Sequence, residues 1–310
     1  DSQSTPLPTL LSTPFPVRIP LPPIALSAGP AVEAKVLFLA HTHRFHGSLG
    51  KQLASELARC LPKWLEVVRA IATIAEEQGS AQSLAAALCL HRCLVQSLPF
   101  PTADLGVDLD ALLQIPIPPS EAALLARPNL ATGRGVVVPG DESRCAFGDL
   151  LESLMAKRCS AVEKMQAAAR LDLEAFLQVA PRVHLTAEIV SEDGRPHLRE
   201  GRGATLRVRL LRNHVRPGHA AGPAHAPLCP LVGGVEEAWW IVLRLPTCGG
   251  ADGHPPAICQ RVTGAARELE VEISFELPAA GSYACTVQAI CEAYAGVDVA
   301  RGLALKVRGG

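Results

Sequence analysis

Two adjacent tryptophans, Trp239 and Trp240, constrain the fold of this chain more than any other feature of its sequence. The 310 residues contain only three tryptophans, and an apolar run of strand length, 241–243, follows this pair. Further on, Tyr283 stands two residues before Cys285. A buried tryptophan on a middle strand, with a Tyr-x-Cys pattern on a later strand, is typical of an immunoglobulin-like β-sandwich. We therefore predict a sandwich in which the Tyr283 hydroxyl turns back to the backbone at a sheet corner.

Apolar and polar residues alternate from Val183 onward, and this period of two predicts half-buried β-strands. Clear alternation occurs in residues 183–189, 206–210 and 269–275. Together with strands around Trp239, Tyr283 and 303–307, these segments give six or seven strands. Two packed antiparallel sheets with polar outer faces accommodate this pattern. Since the strand at 205–211 holds no cysteine, the predicted sandwich lacks an inter-sheet disulfide, as fibronectin-type domains do.

The residues before Val183 show helical spacing instead. Leu49, Leu53 and Leu57 repeat every four residues, which places them on one face of a helix. Similar spacing continues on both sides of a Gly-Ser break at 79–80. This pattern predicts an all-helical bundle.

The chain between the bundle and the strands is predicted to be a loop followed by two helices. Residues 131–146 are rich in Gly and Val, whereas 147–155 and 161–179 have helical spacing. Residues 1–30 are rich in Pro, Ser and Leu and predict an extended linker. The predicted fold class is therefore α+β, with an all-α bundle and a helical pair followed by an immunoglobulin- or fibronectin-type antiparallel β-sandwich. The predicted domains are a linker at 1–30, a helical bundle at 31–130, a helix-hairpin segment at 131–182 and the sandwich at 183–310.

The composition places the chain among globular proteins, because 48% of its residues are hydrophobic and 19% are charged. A formal net charge of -1 creates no overall field that would attract nucleic acid or an anionic membrane. The ten cysteines fall in helical and strand patterns, which favours free thiols in a reducing compartment. Prolines interrupt the uncharged stretches of residues 1–30, and the start at Asp1 lacks signal-peptide features. We therefore expect a fragment of a longer protein without a membrane span of its own.

Two small groups of histidines and cysteines are candidates for metal chemistry. One contains His41, His43 and His46, and the other contains Cys89, His91 and Cys93. Neither spacing puts three ligands on one helix face. The sequence also has no phosphate-binding loop, nucleophile elbow or His-Glu-x-x-His motif. We therefore predict no catalytic residue, no cofactor and no metal, and a chain that is not an enzyme.

Seven arginines between residues 195 and 216 are interrupted by a single acidic residue, Glu200. On a strand, Arg207 and Arg209 share the solvent face. Arginine binds carboxylate and phosphate groups bidentately, so this run predicts a contact with an acidic partner loop or with lipid phosphates. The predicted partner-binding residues are Arg207, Arg209, Arg212 and Arg216. The alternative is a solvated outer sheet face that contacts no partner.

Two motifs carry a resemblance to a known family. The first is the HAPLCP lead-in at 225–230 followed by Glu-Glu-x-Trp-Trp at 236–240, and the second is Cys-x-x-Tyr-x-Gly-x-Asp at 291–298. They resemble the C-terminal unit of the Sec sixty-three family, the J-domain-bearing subunit of the endoplasmic reticulum protein translocon. Helical segments such as AKVLFLAHTHR and LCLHRCLVQSLP extend the resemblance over roughly residues 31–307. Its structural motif residues are His225, Pro227, Trp239, Trp240, Tyr283, Tyr294, Gly296 and Asp298.

The resemblance implies a function in protein transport. It implies a non-catalytic, membrane-associated binding module that docks on the Sec channel and its associated translocation subunits. This docking would support post-translational protein import from the cytosolic face of the endoplasmic reticulum membrane. The lumenal Hsp70 chaperone BiP would be recruited only through a J-domain, whose His-Pro-Asp tripeptide is absent from this sequence. No nucleic-acid partner is implied.

An accessory cassette of a Ski-two-like RNA helicase is the alternative, because a related unit follows the motor domains of those enzymes. That role predicts basic residues along one bundle helix and aromatic side chains that stack on single-stranded RNA. Only 4% of the residues are aromatic, and Lys and Arg are scattered through residues 31–130. The lead-in at 225–230 also resembles the translocon family more closely, so we favour the translocon function. A third alternative is a soluble scaffold protein derived from the same unit.

Overall fold

The computed structural model shows a helical first part followed by strands, so the predicted α+β class is confirmed. The described residues are 31–44, 49–98, 111–118, 121–122, 124–125, 142–144, 146–192, 197–226, 229, 234–245 and 257–309. The predicted linker at 1–30 and the motif residue Pro227 lie outside them.

The described residues up to 98 form three helices: α1 (Ala31–Arg44), α2 (Lys51–Glu77) and α3 (Ala81–Val95). The buried residues of α2 recur every three or four positions and so share one face; they are Leu61, Leu65, Val68, Ala72 and Ala75. Gly79 has a φ of 63°, a left-handed conformation that glycine adopts without steric cost. Ser80 then caps α3 by accepting a hydrogen bond from the Ser83 N–H at 3.3 Å. The sequence break at 79–80 is thus the turn of a helical hairpin.

Residues 146–179 contain two shorter helices, α4 (Ala146–Met155) and α5 (Ala167–Val179), with a 3-10 helix (Ser160–Lys164) between them. The predicted helix at 147–155 is confirmed. The predicted continuous helix at 161–179 is instead divided at Met165, whose backbone is extended with φ −77° and ψ 151°. Burial of the Met165 side chain at 4% exposure shows that this break lies at the core. Within the described residues, no helix is both long and apolar enough to cross a bilayer.

Among the described residues, nine strands form two sheets. The strands are β1 (Glu142–Arg144), β2 (Val183–Ser191), β3 (Leu198–Arg199), β4 (Gly203–Arg212), β5 (Trp239–Arg244), β6 (Ala257–Val262), β7 (Glu268–Glu276), β8 (Gly281–Cys291) and β9 (Val299–Arg308). One sheet has the order β1-β9-β8-β5-β6, with β3 parallel to β9, and the other has the order β2-β4-β7. The remaining pairings among these strands are antiparallel. The prediction of a loop at 131–146 is wrong at residues 142–144, which form strand β1. These three polar residues show no alternation in sequence, and they become a strand because they pair with β9.

The helices and both sheets share one apolar core. In β4, burial alternates, so Leu206, Val208 and Leu210 face the core while Arg207 and Arg209 face solvent. Strand β5 lies between β8 and β6, and five of its six residues are buried, including both tryptophans. A strand covered on both faces has a continuous apolar sequence rather than an alternating one, which explains the unbroken run after the Trp-Trp pair.

Candidate functional site

The motif residues meet where the connection between β8 and β9, residues 292–298, packs against the helices. The Tyr294 side chain is 1% exposed, and its hydroxyl accepts a hydrogen bond from the His225 N–H at 2.6 Å. The Gln96 amide, at the end of α3, donates to the carbonyls of His225 at 3.0 Å and Ala293 at 2.9 Å. These bonds fasten both the lead-in and the β8–β9 connection to α3.

The side chain of His225 packs against helix α5. Its ring meets the ring of Phe176 edge-on, with the centroids 5.8 Å apart and an angle of 76° between the planes. Burial lowers the pKa of His225, which keeps the imidazole neutral near pH 7. This contact joins the lead-in to α5.

Gly296 and Asp298 also take part in the contacts between residues 292–298 and the helices, a region that we call the junction. The O atom of Gly296 accepts a hydrogen bond from the N–H of Gly148 in α4 at 3.0 Å. The Asp298 carboxylate accepts bonds from Arg92 Nη1 at 2.9 and 2.8 Å, and from the Cys291 N–H at 3.0 Å. The second motif therefore bonds to α3, to α4 and to the end of β8.

Glu292, the residue after the Cys of this motif, lies at the centre of a buried ionic cluster. Its side chain is 2% exposed, and it accepts hydrogen bonds from Arg69 of α2 at 2.7 Å and Arg261 of β6 at 2.6 Å. His91 of α3 bonds through Nδ1 to the Glu292 carbonyl at 2.9 Å, and its Nε2 lies 3.4 Å from the carboxylate. Burial lowers the pKa of His91, so the two arginines are the cations that balance Glu292.

A second buried cluster surrounds Glu237 of the first motif, which is 5% exposed. Its carboxylate accepts hydrogen bonds from Trp239 Nε1 at 2.9 Å and from His214 Nε2 at 2.8 Å. Arg212 Nη1 lies 3.5 Å away, and Arg212 Nη2 donates to the Gly264 carbonyl at 2.5 Å. Trp239 is thus held both by the apolar core and by one polar anchor.

Tyr283 adopts the predicted corner geometry. Its hydroxyl donates to the carbonyl of Ala279, four residues earlier, at 2.6 Å, while its ring packs against the core. The prediction that the hydroxyl turns back to the backbone is therefore confirmed.

The two tyrosines offer a matched test of the junction. Tyr294→Phe leaves the partly buried His225 N–H without its acceptor, so we expect the free energy of unfolding to fall by about 2 kcal/mol. Tyr283→Phe removes an exposed hydrogen bond and should cost about 1 kcal/mol or less. Urea denaturation of both variants and the unchanged chain measures the difference. An equal loss in both variants would contradict the role given to Tyr294.

The arginines Arg207 and Arg209, which were predicted to bind an acidic partner, do not form a basic surface. On the outer face of β2, β4 and β7, Arg207 lies between Glu188 and Glu272 in the strand register, and it donates to Glu272 at 2.9 Å. Arg209 forms an ion pair with Glu268. Carboxylates outnumber the two arginines on this face of the described strands; they are Glu188, Glu268, Glu270, Glu272 and Glu276. Alternation along β4 predicted the exposure of the arginines but not their partners on β7.

Arg212 does not lie on a partner-facing surface, because its side chain is 0% exposed. It continues the even-numbered buried series of β4, and that spacing was a signal for its burial. Arg216 is exposed, so its contact with a partner stays a prediction.

His43 and Cys89, two of the candidate metal ligands, make contacts with neighbouring protein groups. His43 Nε2 bonds to the Leu94 carbonyl at 2.7 Å, and His46 lies outside the described residues. A hydrogen bond from Cys93, together with Arg92, lowers the pKa of the Cys89 thiol to about 7. In the part of the chain that is described, no group of three or more His, Cys, Asp or Glu side chains is arranged to hold a metal ion.

Sequence reasoning missed Glu292, Arg69 and Arg261 as members of the junction. The signal for Glu292 was its place between Cys291 and Ala293 at the end of an apolar strand, where a charge requires a partner. Arg69 contacts Glu292 although 223 positions separate them in the sequence. No local sequence pattern predicts a contact between residues so far apart.

The comparisons with known proteins give little similarity. No family model matches this chain, and no curated protein matches it. Among solved structures, a β-glucosidase from Listeria innocua matches with a TM-score of 0.26 and 11% identity, over 42% of this chain and 16% of that chain. The same enzyme matches in complex with glucose, with a TM-score of 0.25 and 11% identity, and in complex with isofagomine, with 0.25 and 12%. Both of these matches also cover 42% of this chain and 16% of the enzyme.

The solved chains in these matches are enzymes, whereas the sequence predicted a chain that is not one. That prediction is not retained. A TM-score of 0.26 over 42% of the chain carries no argument for glycoside hydrolysis by this protein. No residue is therefore assigned a catalytic role.

Proposed function

We propose that this chain is a binding module of a protein-translocation subunit that resembles the Sec sixty-three family. In this proposal it docks on the Sec channel and its associated subunits, on the cytosolic face of the endoplasmic reticulum membrane, and supports post-translational import. BiP would be recruited through a J-domain outside this chain. One observation carries the proposal: motif residues that are far apart in sequence, such as His225 and Tyr294, meet at one junction.

We also propose that the strands from Val183 to Arg308 are an immunoglobulin- or fibronectin-type sandwich. Two sheets that share a core support this arrangement, as do the buried Trp239 on β5 and the corner hydrogen bond of Tyr283. Cys285 and Cys291 are free thiols, in keeping with the fibronectin type.

The junction gives this module a mechanical property that suits docking. Ionic and hydrogen-bonded contacts fix the β8–β9 connection to α2, α3 and α4, so the helices brace the sheets. Because the motif residues Trp239, Trp240 and Tyr294 are buried, exposed loops and outer faces remain for contacts with a channel. A rigid body shifts a two-state gate when it binds one state more tightly than the other, and we propose that this module favours the open channel.

Flotation of the chain with liposomes that contain the purified Sec channel tests this function. We expect the chain to float with channel liposomes and not with empty ones of the same lipid composition. Charge reversal at the exposed Arg216 (Arg216→Glu) should weaken this binding, whereas Lys157→Glu, at another exposed position, should not.

A parallel titration with labelled single-stranded RNA covers the helicase alternative. We expect weak binding, because aromatic side chains that stack on bases are scarce in this chain. Submicromolar, salt-sensitive RNA binding without channel binding would overturn the translocon proposal and favour a helicase cassette.

A further inference from the structure

Helix α2 has a second apolar face beside the one that it buries. Val67, Ile71 and Ile74 are 59%, 46% and 51% exposed, and their spacing of four and three residues aligns them along the helix. We call these three residues the α2 stripe. The described residues include six large, exposed hydrophobic side chains, and half of them are in this stripe. Apolar side chains that gather in one place, rather than scatter singly, mark a contact surface.

The α2 stripe is symmetric about its own centre. Val67 and Ile74 lie at equal distances on either side of the midpoint between Ala70 and Ile71. A helix with this spacing is complementary to an antiparallel copy of itself, because Val67 of each copy then meets Ile74 of the other. The exposed Ala70 adds a small side chain near the centre, where two helices approach most closely.

We propose that the α2 stripe is the surface through which two copies of this chain associate, with their α2 helices antiparallel about a two-fold axis near Ala70. Such an axis makes one patch serve as both sides of the contact. The occupant of the stripe is therefore a second copy of the chain.

Charge complementarity supports this occupant and fixes its direction. Lys63 and Glu77 are exposed and lie seven residues before and after Ala70, so both are on the same flank of the α2 stripe. In the antiparallel arrangement, Lys63 of each copy faces Glu77 of the other, which makes two ion pairs. A parallel two-fold arrangement would instead put this flank on opposite sides of the contact in the two copies, so Lys63 and Glu77 would not meet.

The size of the surface predicts a weak, concentration-dependent dimer. From Lys63 to Glu77 the helix rises by about 21 Å, and a contact of this length falls below the area of a standard stable interface. Exposed ion pairs add little affinity, so they orient the copies while the apolar side chains hold them together.

Sedimentation equilibrium of the 310-residue chain, from micromolar to near-millimolar concentration, tests this association. We expect the average mass to rise from monomer toward dimer, and Ile71→Glu to keep the chain monomeric throughout. Leu171→Glu, at the 66% exposed position on α5, should leave dimerisation unchanged. Circular dichroism of each variant shows whether the fold is retained. A monomer at every concentration, or a dimer that Ile71→Glu does not affect, would overturn the proposal.

Charge reversal tests the antiparallel direction. Lys63→Glu alone and Glu77→Lys alone should each weaken self-association, because like charges then face each other. An equimolar mixture of these two variants should regain association, because two ion pairs form across the mixed dimer. One pair is the original lysine and glutamate, and the other joins the two substituted residues with their charges exchanged. Failure of the mixture to associate better than either variant would overturn the antiparallel arrangement.

Discussion

Replacing Glu292 with alanine is expected to lower the free energy of unfolding by about 3 kcal/mol. The carboxylate is 2% exposed and balances Arg69 and Arg261. Its removal leaves these two charges without their buried partner. Both arginines have some access to solvent, at 38% and 25% exposure, which places the loss at the lower end for a broken buried pair. Urea denaturation of the chain and the variant measures it.

Glu272→Ala is the matched control for this measurement. Glu272 also forms an ion pair with an arginine, Arg207, but their side chains are 64% and 54% exposed. Exposed pairs contribute about 1 kcal/mol or less, so the control should lose far less stability. Similar losses in the two variants would show that burial does not determine the strength of the Glu292 cluster.

The effect of Glu292 should also depend on pH. Burial alone would raise the pKa of Glu292, but the bonds from Arg261 and Arg69 outweigh it and hold the pKa below its ordinary value of 4.5. The contribution of the carboxylate is therefore present above pH 4.5 and is lost as the pH falls through the lower pKa of the folded state. The stability difference between the chain and Glu292→Ala should narrow in acid.

Gly296→Ala is expected to cost about 3 kcal/mol of stability, because the new methyl group faces two obstacles. Gly296 has a φ of 73°, a conformation that disfavours any residue with a Cβ by about 1 kcal/mol. A Cβ at this position would also lie 2.9 Å from the Cβ of Phe147 and 3.0 Å from the Cβ of Ala111. Neither atom is the end of a flexible side chain, so the backbone must move, at about 2 kcal/mol.

Gly218→Ala separates the cost of the left-handed backbone conformation from the cost of the steric clash. Gly218 has a nearly identical φ of 75°, and a Cβ there would meet no atom within 4 Å. Its loss should therefore be about 1 kcal/mol, from conformation alone. Thermal and urea unfolding of both variants, compared with the unchanged chain, give the steric part as the difference. Equal losses would mean that the junction around Gly296 accommodates a methyl group.

The strands and their buried faces could be predicted because alternation is a local property of the sequence. The pattern around Leu206 and Val208 predicts which side of β4 faces the core, and the structure has that orientation. The same reasoning extends to Arg212, which occupies the next buried position in the series. Its burial was predictable, but a preference for arginine at the surface concealed it.

The polar contacts of the junction could not be predicted because they join positions with no sequence relationship. Arg69 and Glu292 are separated by 223 positions, and Arg92 and Asp298 by 206. Strand register likewise decides that Arg207 meets Glu272, and register depends on turns outside the strand itself. Charge along one segment therefore did not reveal the charge of the finished surface.

The β8–β9 connection has a consequence for how this protein can be divided. A cut after Arg182 would separate residues 292–298 from α3 and would leave Glu292 with only one of its two guanidinium partners. The sequence changes from helical to strand patterns near that point. The strands after it nevertheless share their apolar core with the helices before it. The chain should therefore lose its structure in one cooperative step, with no intermediate that keeps the sheets intact while the helices melt.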